Sequence, residues 1–246
     1  MLVERVSNVM RYTSLRFHLG RTRELRERWG LPAAIFALFI SVLRPRLHIR
    51  IYGIYVRAHS SSRNSSSRPQ TSTDSAITYR IFSKSNLDEL LKQAKRSDLD
   101  MSEAFIREAI AKGDICSAAL INGNIVSYVW SAFSATHDTD DVYAVFPSGF
   151  RYGYKAYTLP ECRGQHLRDG TIPLRDQYCA ERGCMHSLSF IAVDNYASIR
   201  AATRSGVTRV GFAAFYKKGS RFISYHSPGV KKLGFRFESR DDTQAP

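Results

Sequence analysis

Lysine is missing from the first 58 residues of this 246-residue chain, and acid is scarce there. Eleven arginines stand against Glu4, Glu24 and Glu27 alone. Over the whole sequence 36 Lys and Arg face 22 Asp and Glu, a formal net charge of +14. That balance draws the chain to phosphates, nucleic acid or acidic lipid without choosing among them. Cysteine is also rare: Cys116, Cys162, Cys179 and Cys184 are the only four. None forms a Cys-x-x-Cys pair and no histidine completes a zinc spacing, so the pattern offers no metal site. A disulfide framework does not suit so few cysteines in a chain of this size, and free thiols of a reducing, cytoplasmic compartment are expected. Internal repeats are absent. The arginines are not interleaved with aromatics in any recognised RNA or DNA module, which puts nucleic-acid binding behind other readings.

Long apolar runs are lacking too. Leu31 to Leu43 makes about 20 Å of helix against a hydrocarbon core of about 30 Å, too short to span comfortably. The stretch before it is too long for a secretory signal, and no small-residue cleavage site follows. Pro32 suits a helix start and Arg44-Pro45-Arg46 predicts its end. Arginines 21, 23, 26 and 28 precede the run and Arg44, Arg46 and Arg50 follow it. Residues 21–50 therefore read either as a peripheral contact with an anionic membrane surface or as a helix packed on the rest of the chain or on a second copy, as in a homodimer. Residues 47–57 read as a strand. Ser60 to Ser75, rich in Ser, Arg, Asn and Thr, reads as a flexible linker. The expected division is a basic extension over 1–58, a linker over 59–75 and a domain over 76–246.

What the chain does have is a core-forming composition, 43% hydrophobic and 12% aromatic. Ile77–Ser83 alternates as a strand, Asn86 predicts a cap for a helix with Leu87, Leu90 and Leu91 on one side, and Ser102–Ala111 predicts a second helix. Asn122-Gly123 between Ile115–Ile121 and Ile125–Ala135 is a strong hairpin signal. An acidic loop with His137, Asp138, Asp140 and Asp141 follows. Phe150–Leu159 then leads as a strand into Pro160-Glu161-Cys162-Arg163-Gly164-Gln165-His166-Leu167-Arg168, a turn that opens a helix. A further strand at 188–193 ends at Asp194-Asn195, which caps another helix. Pattern alone supports a mixed α/β sheet with a helical crossover.

The first turn of a helix has N–H groups without intrahelical partners and a partial positive charge, so phosphate sits well there. Gly164 permits close backbone approach, and Arg163 and Arg168 add full charges. This order of elements, with Arg163-Gly164 in the turn and Asn195, Ser198, Arg204 and Gly206 in the capped helix, resembles the core of the GNAT acyltransferase superfamily over roughly residues 77–240. The resemblance implies a GNAT-like mixed, mostly antiparallel sheet flanked by helices, here with a basic N-terminal extension. It also implies acetyl-CoA or another acyl-CoA as acyl donor. Its pyrophosphate would lie at Arg163, Gly164, Gln165, His166, Leu167 and Arg168. Its pantetheine arm would meet freed backbone groups of Thr158 and Leu159 and pass Asn195 and Ser198. Two departures stand out. His166 and Arg168 occupy places where small residues are usual, and Ala202 replaces the tyrosine that often protonates the departing thiolate.

Acyl transfer to an amine needs a neutral amine, a stabilised oxyanion and a protonated leaving group. Many relatives place a Glu on the strand before the turn, but Phe150–Leu159 has no carboxylate. Tyr154 as proton donor and His137 as proton relay are the catalytic candidates, with the acidic stretch Asp138–Asp141 as an alternative base. The expected activity is N-acyl transfer, most simply N-acetyl transfer, to a small-molecule amine such as an amino sugar. A non-catalytic acyl-CoA sensor or scaffold is the alternative that Ala202 and the missing carboxylate suggest.

Overall fold

The computed structural model describes residues 26–27, 30–59, 77–139 and 141–239. The expected linker, apart from its first residue, and most of the early arginines lie outside the described residues. Helix α1 (Leu31–Leu47) starts with a proline in its first turn and ends at His48, whose φ of 52° closes it. It runs through Pro45 rather than stopping at Arg44, because a proline in the final turn forfeits only one intrahelical hydrogen bond. No helix among the described residues is long and apolar enough to cross a membrane.

Strand β1 (Ile49–Ala58) comes next, then β2 (Ile77–Phe82), α2 (Leu87–Ala94), α3 (Glu103–Ala111), β3 (Ile115–Ile121) and β4 (Asn124–Ala132). The Asn122-Gly123 hairpin forms as its sequence demands, with φ of 51° and 78° at the two turn residues. Ser102 caps α3 by accepting the Phe105 amide. Asn86 does not cap α2 with its side chain. Its Oδ1 instead accepts the Ser83 amide and its Nδ2 donates to the Ile81 carbonyl, which fixes the preceding turn.

The stretch expected as an acidic loop is a second hairpin, β5 (Thr136–Thr139) and β6 (Val142–Val145). After it come β7 (Phe150–Thr158), α4 (Leu167–Gly170), α5 (Ile172–Ala180), β8 (His186–Ala192) and α6 (Tyr196–Arg204). The chain ends in β9 (Thr208–Lys218), β10 (Arg221–His226), α7 (Pro228–Leu233) and β11 (Arg236–Ser239).

Eight strands form one sheet in the order β10-β9-β1-β8-β7-β4-β3-β2, and β11-β6-β5 form a smaller one. Every pairing is antiparallel except β7 with β8. This is the mixed, mostly antiparallel sheet flanked by helices that the sequence predicts. The domain division at residue 58 needs correction. β1 lies inside the large sheet, bonded to β8 on one edge and β9 on the other. Its Ile54 is fully buried, worth about 1.5–3 kcal/mol against an exposed side chain. His59, the first residue of the expected linker, is buried and its Nδ1 lies 3.0 Å from the Cys184 carbonyl oxygen. The reading fails because strand order is set by non-local pairing, which a polar gap in sequence does not reveal.

Two apolar clusters hold the elements. One packs α2 and α3 on β3 and β4 through Leu90, Ile106, Ile110, Tyr128 and Trp130. The other packs the small sheet and α7 on β1, β8 and β9 through Tyr52, Phe190, Phe215, Phe235 and Phe237.

Candidate functional site

The centre of the large sheet is split. β7 and β8 pair only over Phe150–Tyr152 with His186–Leu188, although β7 runs on to Thr158 and β8 to Ala192. Lys155, with φ of 41°, bulges β7 just past the last paired residue, and the β4–β7 register shifts there. Beyond that point each strand keeps its outer partner: β4 holds β7 to Thr158 and β1 holds β8 to Ala192. The result is a wedge between two parallel strands.

Alternation settles which backbone groups line the wedge. The Leu159 amide donates to the Val126 carbonyl, and its own carbonyl accepts the Cys162 amide. Both backbone groups of Leu159 are therefore engaged, which corrects the expectation that they are free. One residue back, the Thr158 N–H points the opposite way, into the wedge. Its carbonyl is met by Arg163 Nε at 3.3 Å, and its hydroxyl pairs with Ser127 Oγ at 2.8 Å. On the other edge the Val193 amide donates to Ile51, so the Ala192 N–H faces β7.

The wedge opens onto the turn. Gly164 has φ of 83° and His166 φ of 56°, so left-handed residues alternate with right-handed or extended ones and aim successive amides into one concavity. Among the described residues, no protein acceptor meets the N–H groups of Gly164, Gln165, His166, Leu167 or Arg168, while the amides of Arg163 and Asp169 are bonded to Pro160 and His166. A Cβ at Gly164 would meet nothing within 4 Å, so that side of the turn is open. Leu167 anchors the turn in the core, and Cys162 and Leu159 are buried beside it. The Gln165 and His166 side chains turn back onto the chain. Gln165 Nε2 reaches the Glu161 carbonyl at 3.5 Å, and His166 Nδ1 lies 3.2 Å from Asp169. Glu161 is exposed. On the far side of the wedge Asn195 Oδ1 accepts the Ser198 amide at 3.2 Å, the expected cap of α6.

A row of aromatic rings lies on the face of the sheet turned toward the small sheet. Tyr52 meets Phe190 at 5.4 Å, Phe190 stacks on Tyr152 at 4.3 Å, and Tyr152 stacks on Tyr154 at 5.9 Å. A carboxylate stands at each end. At one end the Tyr154 hydroxyl donates to Asp114 Oδ2 at 2.6 Å, and Lys112 Nζ lies 3.4 Å from the same oxygen. Asp114 is 1% exposed, and its other oxygen has no hydrogen-bond partner. Burial pushes its carboxyl above the usual range, partly offset by Tyr154 and Lys112. At the other end the Tyr52 hydroxyl reaches both oxygens of Asp138 at 2.8 and 2.9 Å, and Arg50 approaches at 3.8 Å. Burial raises the Asp138 carboxyl as well.

The two catalytic candidates separate. Tyr154 sits where the split begins, but its proton is given to Asp114, so it is no free donor. Burial, with the charge of Asp114, pushes the phenol far above its ordinary range. His137 is exposed and lies against Tyr143 at 4.1 Å, on the opposite side of β5 from Asp138. The period of two in a strand explains it: Asp138 turns inward, so His137 turns out. Asp114 is the residue that sequence reading missed; its only local sign was a lone acid between α3 and a strongly apolar strand. No group of His, Cys, Asp and Glu able to hold a metal ion occurs among the described residues.

No family model matches the sequence, and no curated protein matches it. Among solved structures the chain is similar to a GNAT-family acetyltransferase from Colwellia psychrerythraea, at 10% identity and a TM-score of 0.43, over 72% of this chain and 57% of that one. It is similar to the aminoglycoside N-acetyltransferase AAC(6')-Iy in complex with CoA, at 16% identity and a TM-score of 0.40, over 63% of this chain and 96% of that one. A functionally unknown conserved protein from Staphylococcus epidermidis matches at 12% identity and a TM-score of 0.39, over 71% of this chain and 64% of that one. The chain thus spans less than two thirds of the Colwellia and Staphylococcus proteins.

Proposed function

We propose that the protein is an acyl-CoA-dependent N-acyltransferase, with acetyl-CoA the simplest donor and a small cationic amine the acceptor. The observation that carries this reading is the run of unpaired amides at 164–168, placed at the mouth of a split between parallel strands. A pyrophosphate would satisfy those amides, with Arg163 adding charge. A pantetheine arm carries amides of its own, and the Thr158 and Ala192 N–H groups offer it donors along the wedge. The thioester supplies an activated acyl carbon, and every remaining task falls to the chain.

The row from Asp138 to Asp114 suits an acceptor that is cationic and partly apolar, because aromatic faces and carboxylates both attract ammonium groups. An acceptor ammonium must lose a proton before attack. In this reading the Tyr154 oxygen accepts it while the Tyr154 proton passes to Asp114 Oδ2, so Tyr154 relays and Asp114 is the base. A carboxyl raised by burial serves that role near neutral pH better than an exposed one. Asp138, held by Tyr52 and Arg50, orients the other end of the acceptor. An amino sugar or another polyamine meets these demands.

Incubation of the full chain with acetyl-CoA and a panel of primary amines, read by mass spectrometry of the amines, tests the reading. Acetylated product that disappears with Asp114→Asn supports it. Tight coenzyme A binding with no acetylated amine would favour a non-catalytic acyl-CoA sensor, a reading that Ala202 in place of the usual tyrosine also supports.

A further inference from the structure

Behind the wedge, on the face covered by α5, charge is out of balance. Arg57 and Arg151 flank Ser187 in one row across β1, β8 and β7. Above them α5 turns Arg175, Asp176 and Cys179 toward the sheet. Asp176 takes Arg57 as a fork, at 2.8 Å from each of its terminal nitrogens, and also Arg151 Nη2 at 3.3 Å. His59 Nε2 lies 3.5 Å from Asp176, but burial pulls the ring down to about 4, so it adds no charge at neutral pH. One carboxylate thus stands among three guanidiniums and pairs with two of them, Arg57 and Arg151.

Arg175 lies in the field of Asp176 but forms no hydrogen bond or ion pair with it. The residue is 7% exposed, its side chain has no hydrogen-bond or ion-pair partner among the described residues, and its Nε is sealed from solvent. Arg151 is 4% exposed, and its Nε is likewise sealed and unpartnered. A guanidinium does not give up its proton in a protein, so the charge stays. A buried charge without a counter-ion costs several kcal/mol. Arg168, half-buried at the start of α4, belongs to the same positive field and pairs with no carboxylate among the described residues. Gly153 lies in the next row, where a Cβ would touch Arg151 Nη1 at 3.9 Å and Val129 Cγ2 at 4.0 Å.

We propose that Arg175 and Arg151, with Arg168 at the rim, form a second anion site that takes a phosphate group and is separate from the amides of 164–168. Fork-shaped guanidinium donors match phosphate oxygens two at a time. The phosphate is either free inorganic phosphate or a phosphoester carried by a larger ligand.

The test titrates the full chain with inorganic phosphate at constant ionic strength and follows thermal unfolding. The wild type is expected to gain stability in a saturable way, and Arg175→Met is expected to bind phosphate about tenfold or more weakly, the loss of a charge-assisted contact. Should Arg175→Met not fold, Arg175→Lys keeps the charge, loses the fork and is expected to fall between the two. No saturable response in the wild type, or equal responses in wild type and variant, overturns the proposal. A second arm compares coenzyme A with dephospho-coenzyme A by calorimetry. A loss in Arg175→Met confined to coenzyme A assigns the site to its 3′-phosphate; equal affinities in wild type and variant for both assign it to free phosphate. The phosphate arm needs no coenzyme A binding, so it stands or falls apart from the acyltransferase reading.

Discussion

Replacing Tyr154 with phenylalanine removes one hydroxyl and leaves the ring among Phe105, Trp130 and Tyr152, at 6.3, 6.5 and 5.9 Å. The perturbation is therefore confined to the 2.6 Å hydrogen bond to Asp114. Asp114 Oδ1 already lacks a partner, so the variant leaves a buried carboxylate with only Lys112 nearby. A hydrogen bond to a charged group is worth about 1.5–3 kcal/mol. For a chain of this size that corresponds to a fall in Tm of roughly 3–12 °C.

The loss should depend on pH. The folded-state carboxyl of Asp114 titrates above its ordinary value, so its contribution is full below the ordinary carboxylate range and is lost as pH rises through the raised value. The Tyr154 bond opposes that rise, and removing it moves the titration higher still. Urea unfolding of wild type and Tyr154→Phe at about pH 5 and about pH 8 should show the larger difference at the higher pH, where more of Asp114 is ionised. Acyl transfer should fall in the same variant, with donor affinity retained. A stability difference below about 0.5 kcal/mol at both pH values would refute the pairing on which the relay rests.

Three further outcomes follow from the fold. Deleting residues 1–58 removes β1 from between β8 and β9, so the remainder should fail to fold cooperatively by circular dichroism; a sharp thermal transition in the truncated chain would contradict the sheet order. Leu31, Ile35, Leu38 and Phe39 form an exposed apolar stripe on α1, with exposures of 58%, 59%, 44% and 58%, and arginine-rich sequence surrounds it. We expect co-sedimentation with vesicles containing phosphatidylserine, lost in Ile35→Glu/Phe39→Glu; loss of a dimer in sedimentation velocity instead would assign the stripe to a second copy. Asn195→Asp should keep the α6 cap, worth about 1 kcal/mol, and weaken coenzyme A binding through its negative charge; unchanged affinity would leave Asn195 a cap alone.

Local chemistry was legible in the sequence, and non-local chemistry was not. Asn122-Gly123 announces its hairpin because both residues must take positive φ, and Asn195 announces its cap because the bond spans three residues. Arg163-Gly164 signals an anion turn for the same reason, although only the structure shows which amides lack partners. Strand β1 looked like an appendage because its partners lie far along the chain. The β5–β6 hairpin was hidden by His137-Asp138, polar residues that seldom build strands, and the parity that turns Asp138 inward appears only once the strand exists. Asp114 gains its meaning from Tyr154, forty residues away. The bulge at Lys155, which opens the wedge, has no sequence sign at all.

Calorimetric titration of acetyl-CoA into the full chain, beside Gly164→Val, tests the central claim most directly. A β-branched residue at φ of 83° is strained by about 1–2 kcal/mol and has to reshape the turn that aims the amides. The account predicts one-site binding by the wild type and an affinity about tenfold or more lower in the variant. Equal affinities, or no binding by the folded wild type, would contradict it.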